Sequence, residues 1–185
     1  LIERGLDAAF LSHDDTDQPA EIVVTKIKDQ YAAVQGLFQF VSGQRSLTKS
    51  YIRELHQTIT AHQETYVARD SLGILRNPRL QHGQWKMQPN NVEGPDGFSF
   101  EFAPPVQVES EMDRLLEMHR VHMTEGVSAL VEAAWLHHRF SLIHPFEDGN
   151  GRVARCLATL VLLKEEWLPL VVTRSDRGEY VASLR

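Results

Sequence analysis

The twelve residues from His144 to Arg155, HPFEDGNGRVAR, constrain this chain more than any other stretch of it. A helical apolar pattern runs up to them and is stopped by Pro145, and a second begins beyond Gly149-Asn150-Gly151. His144 therefore stands at the end of one helix, and the glycine turn opens the next. Packing two helices does not call for that order of residues. Gripping an anion and moving a proton does.

The helix before the motif is expected over 125–143, with Val127, Leu130, Val131, Ala134, His138 and Leu142 as its buried stripe. The helix after it is expected from about 150 to 164, buried through Val153, Cys156, Leu157, Leu160 and Val161. Arg152, Arg155 and Thr159 lie to one side of that stripe, on a face expected to be free of packing. Upstream, 11–20 reads as a polar loop. Ile22, Ile27, Tyr31, Val34, Leu37 and Phe38 then recur at helical spacing, and a second helix over 47–63 carries Ile52, Leu55 and Ile59. Phe98 to Phe102 alternates with period two after a GPDG turn, predicting a hairpin with Gln84–Gln88 as the other strand. A helix over 106–123 follows. The expected architecture is all-α, mainly helical, with one β-hairpin.

With 185 residues, 42% hydrophobic and 24% charged, the chain can bury one sizeable core. A net charge of −6 argues against a broad electrostatic footprint on nucleic acid or anionic membrane, and leaves room for a local cluster of arginines. The single cysteine, Cys156, excludes a disulfide framework and a cysteine-rich zinc site, in keeping with a cytoplasmic protein. No apolar run reaches the length of a membrane span. The chain opens on Leu1, so residues 1–20 are read as a segment continuing an upstream region and 21–185 as the domain.

Two glycines let backbone N–H groups approach a ligand, and the first turn of the following helix adds unpaired donors and a partial positive charge. Arg152 and Arg155 supply guanidinium forks suited to phosphate oxygens. Glu147 and Asp148 would repel phosphate unless a cation intervenes, and a carboxylate beside phosphates is a usual anchor for Mg²⁺. His144 titrates near neutrality and is placed to take a proton from a nucleophile. Together these parts describe attack of a hydroxyl on a phosphorus of a nucleoside triphosphate.

The same residues resemble the Fic family of Fic/Doc proteins, whose motif is His-x-Phe-x-(Asp/Glu)-Gly-Asn-Gly-Arg-x-x-Arg. The match is complete over His144–Arg155, and it extends less sharply from about Glu21 to Arg185 through GQWKMQPNN, FAPP and TRSDRGEYVASL. The resemblance implies a Fic fold with His144 as general base, Phe146 packed inward and Asp148 rather than Glu147 on Mg²⁺. It implies an anion hole at Gly149, Asn150 and Gly151, with Arg152 and Arg155 on the nucleotide phosphates. It further implies a flap near Lys86, Met87, Gln88 and Pro89 that aligns a target segment by strand addition. The implied reaction moves AMP from ATP to a Ser, Thr or Tyr hydroxyl of a target protein and releases pyrophosphate. Gly151 favours this over phosphorylation, since the phosphorylating branch usually has Lys there. The inhibitory pattern (Ser/Thr)-x-x-x-Glu-(Gly/Asn), whose glutamate would pair with Arg155, has no strict match here, so an inhibitor is expected upstream or on an antitoxin-like partner. The alternatives are a Fic enzyme with another nucleotide or with AMP-removing chemistry, and a nucleotide-binding regulatory module with little turnover.

Other residues have simpler readings. His119 and His122 share a helical face but lack a third metal ligand at recognisable spacing. His138 and Cys156 sit in apolar stripes, and Trp85 reads as flap packing. Arg177 and Tyr180 are candidates either to border the nucleotide or simply to pack at a helix end.

Overall fold

The helix that begins at the glycine turn is the centre of the molecule. The computed structural model describes residues 20–43, 45–69, 73–93, 99–172 and 175–183. Its helices are α1 (Ala20–Ser42), α2 (Lys49–Ile59), α3 (Pro105–Glu125), α4 (Ala129–Ile143), α5 (Asn150–Lys164) and α6 (Arg177–Ser183). Helix α5 packs against α4, α1 and α2 together, and α3 covers α4. Phe40, Ile52, Ile59, Met112, Leu136, Phe140, Phe146, Val153 and Leu157 form one core between them, each almost fully buried. Burying a side chain of this size is worth about 1.5–3 kcal/mol.

Local chemistry sets the helix ends. Thr48 caps α2 by accepting the Tyr51 N–H at 3.2 Å, and the helix closes at Thr60 rather than running on to Gln63. The Thr60 backbone leaves the helical path at φ −113° and ψ 12°, and its hydroxyl donates back to the His56 carbonyl at 2.7 Å. Gly126, left-handed at φ 73°, divides the long pattern between 106 and 143 into α3 and α4.

The buried face of α4 differs from the expected one. Glu132, Ala133, Leu136, His137, Phe140 and Ile143 face the core, whereas Leu130 and Val131 are 54% and 60% exposed. The helix is apolar on both sides, and an ionisable partner decides which side turns inward. Both oxygens of the fully buried Glu132 accept histidine N–H groups from α3, from His119 Nδ1 at 2.6 Å and from His122 Nδ1. The two histidines thus pair with a carboxylate across the α3–α4 contact, and His137 rather than His138 lies in the core. In α1, Tyr31 and Phe38 are exposed while Ala33, Val34, Leu37 and Phe40 pack inward.

Among the described residues two short antiparallel sheets stand where one hairpin was expected. Strand β1 (Ala68–Arg69) pairs with β2 (Leu75–Arg76), and β3 (Val92–Glu93) pairs with β4 (Ser99–Phe100). The flap strand opposite β4 is therefore Val92–Glu93, not Gln84–Gln88, while Phe98 lies outside the described residues. Lys86 and Met87 do not pair as a strand because their amides are bound by the motif loop. The β1–β2 hairpin had no period-two apolar pattern to announce it.

Candidate active site

The motif folds into a loop tied to itself and to the core. Helix α4 ends when His144 adopts the left-handed conformation (φ 52°, ψ 57°), its amide still donating to the Phe140 carbonyl at 2.9 Å. Phe146 then plunges into the core and stacks on His56 at 3.8 Å, with Trp85 tilted against it. Asn150, nearly fully buried, clips the loop shut by accepting the Phe146 N–H and donating to the Phe146 carbonyl. Its side chain is structural, and only its backbone amide remains for an anion.

His56 was not singled out from the sequence, and it holds the loop from below. Its Nδ1 accepts the Gly83 N–H at 2.8 Å, and its Nε2–H donates to the Asp148 carbonyl at 3.0 Å. Burial lowers its pKa to about 4, so the ring stays neutral. Its only signal in the sequence is its place beside Leu55 on the inner side of α2.

The two acids take different work. Glu147 accepts the Met87 N–H at 2.9 Å and the Tyr66 hydroxyl at 3.0 Å, fastening the flap segment and the base of the β1–β2 hairpin to the loop. Asp148 accepts the Gly149 N–H at 2.6 Å and the Gln63 amide, which leaves lone pairs on both oxygens. Among the described residues no three His, Cys, Asp or Glu side chains gather to hold a metal. One carboxylate is nonetheless a fitting donor for Mg²⁺, which takes one or two carboxylates and completes its shell with waters and phosphate oxygens.

Gly149 caps α5 at φ 79°, where an added Cβ would meet Thr60 Cγ2 at 3.1 Å and His56 Nε2 at 3.3 Å. The N–H groups of Asn150 and Gly151 in the first turn have no intrahelical acceptor. The arginines depart from the expected free face. Both are buried, as is Thr159, because α5 is enclosed on all sides. Arg152 donates to the Ile59 carbonyl at 3.1 Å and to Gln63 Oε1, bracing the site wall. Arg155 is 8% exposed, and its Nε and Nη2 have no hydrogen-bond partner among the described residues. A buried guanidinium left unpaired is costly and marks a place for an anion.

His144 Nδ1–H donates to the Ser141 carbonyl at 3.2 Å, which leaves Nε2 as the proton acceptor. Burial lowers its pKa to about 4, with a weaker push from the Lys86 charge. Phe102 lies flat on its ring at 3.9 Å. Near Arg155, His137 is held neutral by burial and by the arginine charge, with Tyr180 of α6 within 2.7 Å of its Nε2. The Arg177 side chain lies outside the described residues. Cys156 is buried, its thiol pushed up to about 12, and it takes no part in the site.

The expected docking residues divide. Met87 is 79% exposed, and Gln88 and Pro89 are exposed beside it. Lys86 is 2% exposed and points inward, so it offers no surface to a target. The Lys86 and Met87 amides already donate to Pro145 and Glu147, so these two donors are closed to strand addition.

A family model described as the Fic/DOC family matches residues 46–162. The chain belongs to this family. The matched span takes in every residue of the site except Tyr180. A Fido domain-containing protein of Dictyostelium discoideum is 41% identical over 85 residues, 45% of this chain and 59% of that protein. Protein adenylyltransferase fic-1 of Caenorhabditis briggsae is 35% identical over 83 residues, which is 43% of this chain and 16% of that enzyme. The chain thus spans only part of the curated relatives it matches. A crystal structure of a Fic domain containing signaling protein from Bacteroides thetaiotaomicron superposes with a TM-score of 0.77 at 27% identity, covering 98% of this chain and 67% of that one. The fold is the mainly helical Fic fold. Among the described residues no helix is long and apolar enough to cross a membrane.

Proposed function

We propose that this Fic-family chain is a protein adenylyltransferase that moves AMP from ATP to a Ser, Thr or Tyr hydroxyl of a target protein. The observation that carries the reading is the buried, unpartnered Arg155 guanidinium at the N-terminal turn of α5, one loop away from a neutral His144. Adenylyltransferase-named relatives at partial coverage support it.

In this reading the triphosphate lies over Gly149, Asn150 and Gly151, where the helix end and the backbone N–H groups of Asn150 and Gly151 favour negative charge, the Gly149 N–H being taken by Asp148. Arg155 takes phosphate oxygens, while Arg152 braces Gln63 and the wall behind Asp148. Asp148 is the residue to hold Mg²⁺, which when bound supplies charge neutralisation at the phosphates. His144 Nε2 accepts the proton of the target hydroxyl, and that oxygen bonds to the α-phosphorus. The bond from the α-phosphorus to the bridging oxygen breaks, and pyrophosphate leaves with its electron pair. Met87, Gln88 and Pro89 are the exposed flap surface along which the target segment would lie. Residues 21–185 act as the catalytic domain of a cytoplasmic protein.

The test is a transfer assay with Mg²⁺ and ATP labelled at the α-phosphate or at the γ-phosphate, with lysate as the source of target. Protein labelled only from the α-phosphate supports the reading. Label only from the γ-phosphate, or transfer from a different nucleotide, overturns it.

A further inference from the structure

Lys86 is almost completely buried, yet its partners are main-chain carbonyls and an amide rather than a carboxylate. Its Nζ donates to Asn90 Oδ1 at 2.7 Å and reaches the Ile143 carbonyl at 3.5 Å, while its backbone N–H donates to the Pro145 carbonyl at 2.8 Å. One residue thus takes the carbonyls on both sides of His144. The next carbonyl back, Leu142, accepts the Ala103 N–H at 3.4 Å. Leu142 and Ile143 belong to the last turn of α4, whose carbonyls have no partner within the helix. An ammonium group at that end also meets the negative pole of the helix dipole.

The imidazole is held from a second direction. Phe102 stacks on it with an interplanar angle of 15°, and Lys86 Nζ lies 5.8 Å from the centroid of the same phenyl ring. Phe102 is itself pinned by its N–H to Asn91 Oδ1 at 3.1 Å. His144 needs such restraint, since a left-handed non-glycine residue costs about 1–2 kcal/mol and persists only where its surroundings over-determine it.

We propose that Lys86 is a positioning residue for the base: from inside the flap segment it caps the C-terminus of α4 and, together with Phe102, holds His144 in its left-handed conformation with Nε2 as the acceptor. This rests on the adenylyl-transfer reading for its catalytic consequence but not for its structural content. The charged groups that bear on the imidazole are Lys86 and, from the loop, Asp148. Burial lowers the Lys86 pKa to about 8, which leaves the residue mainly cationic at neutral pH.

The experiment is imidazole ¹H–¹⁵N spectroscopy on the whole chain labelled with ¹⁵N-histidine, with the His144 signals assigned by their loss in His144→Gln. The wild type is expected to show one Nδ1–H tautomer at pH 7. In Lys86→Met, which keeps the amide and removes the ammonium, the His144 shifts should move toward a tautomer average and its titration midpoint should rise. The kcat for transfer should fall roughly tenfold or more, with KM for ATP within about twofold. Lys86→Arg keeps the cation and its donors and should retain the wild-type tautomer, which gives a reading even if Lys86→Met does not fold. An unchanged tautomer and midpoint in Lys86→Met, or averaged shifts in Lys86→Arg, overturn the proposal. If Lys86→Met frees the ring while His144→Gln still transfers AMP, positioning stands and the assignment of the base fails.

Discussion

Asn150 closes the motif loop on Phe146, its Oδ1 accepting the Phe146 N–H at 2.9 Å and its Nδ2 donating to the Phe146 carbonyl at 2.7 Å. The carbonyl has a second donor in Asn90 Nδ2, but the buried N–H has no other acceptor among the described residues. Asn150→Ala therefore strands one buried amide, at a cost of about 1–3 kcal/mol. A lowered unfolding midpoint in thermal denaturation is the expected outcome. An unchanged midpoint would mean that the clip contributes nothing to stability.

The two motif arginines should separate cleanly. Arg155→Ala removes a buried cation with unmet donors, so ATP affinity should fall by about tenfold to a hundredfold while the folded state loses little. Arg152→Ala instead strips a donor from the Ile59 carbonyl and from Gln63, and should lower the unfolding midpoint. Calorimetric titration with ATP, paired with thermal denaturation of each variant, checks both.

Gly149 tolerates no side chain. Its φ of 79° is unfavourable for alanine, and the added Cβ would press on Thr60 and His56. Gly149→Ala should cost at least about 1–2 kcal/mol from the backbone conformation alone. Denaturant unfolding measures it directly.

His56, His137 and His144 all have folded-state pKa values lowered to about 4 by burial. Between pH 4 and 6.5 the unfolded chain then binds more protons than the folded one, so stability rises with pH through this window. It is fully present above about pH 6.5 and is lost as pH falls through 4. Unfolding midpoints recorded from pH 4 to 8 should climb and then level off. The transfer rate should follow the same direction for a different reason, because protonated His144 cannot accept a proton.

The sequence made some of this plain and concealed the rest for physical reasons. Val153, Cys156, Leu157, Leu160 and Val161 were legible because their stripe is buried in fact, as were Ile52, Leu55 and Ile59. Helix α4 misled because Leu130, Val131 and Leu142 offer a second apolar side, and the choice between the sides depends on Glu132 meeting two histidines from α3. Periodicity cannot see a partner on another helix. The burial of Arg152 and Arg155 was hidden likewise, since it follows from what surrounds α5 rather than from α5 itself. In the site, the motif named the loop but not its supports. His56, Gln63 and Tyr66 lie 81 to 92 residues away in sequence and become partners only through the fold.

The role of His144 as the base is tested most directly by comparing ATP binding with AMP transfer in His144→Ala. ATP affinity should stay within about threefold of the wild type while transfer from α-labelled ATP to protein is lost, because only the proton acceptor is removed. Wild-type transfer by His144→Ala would contradict that role.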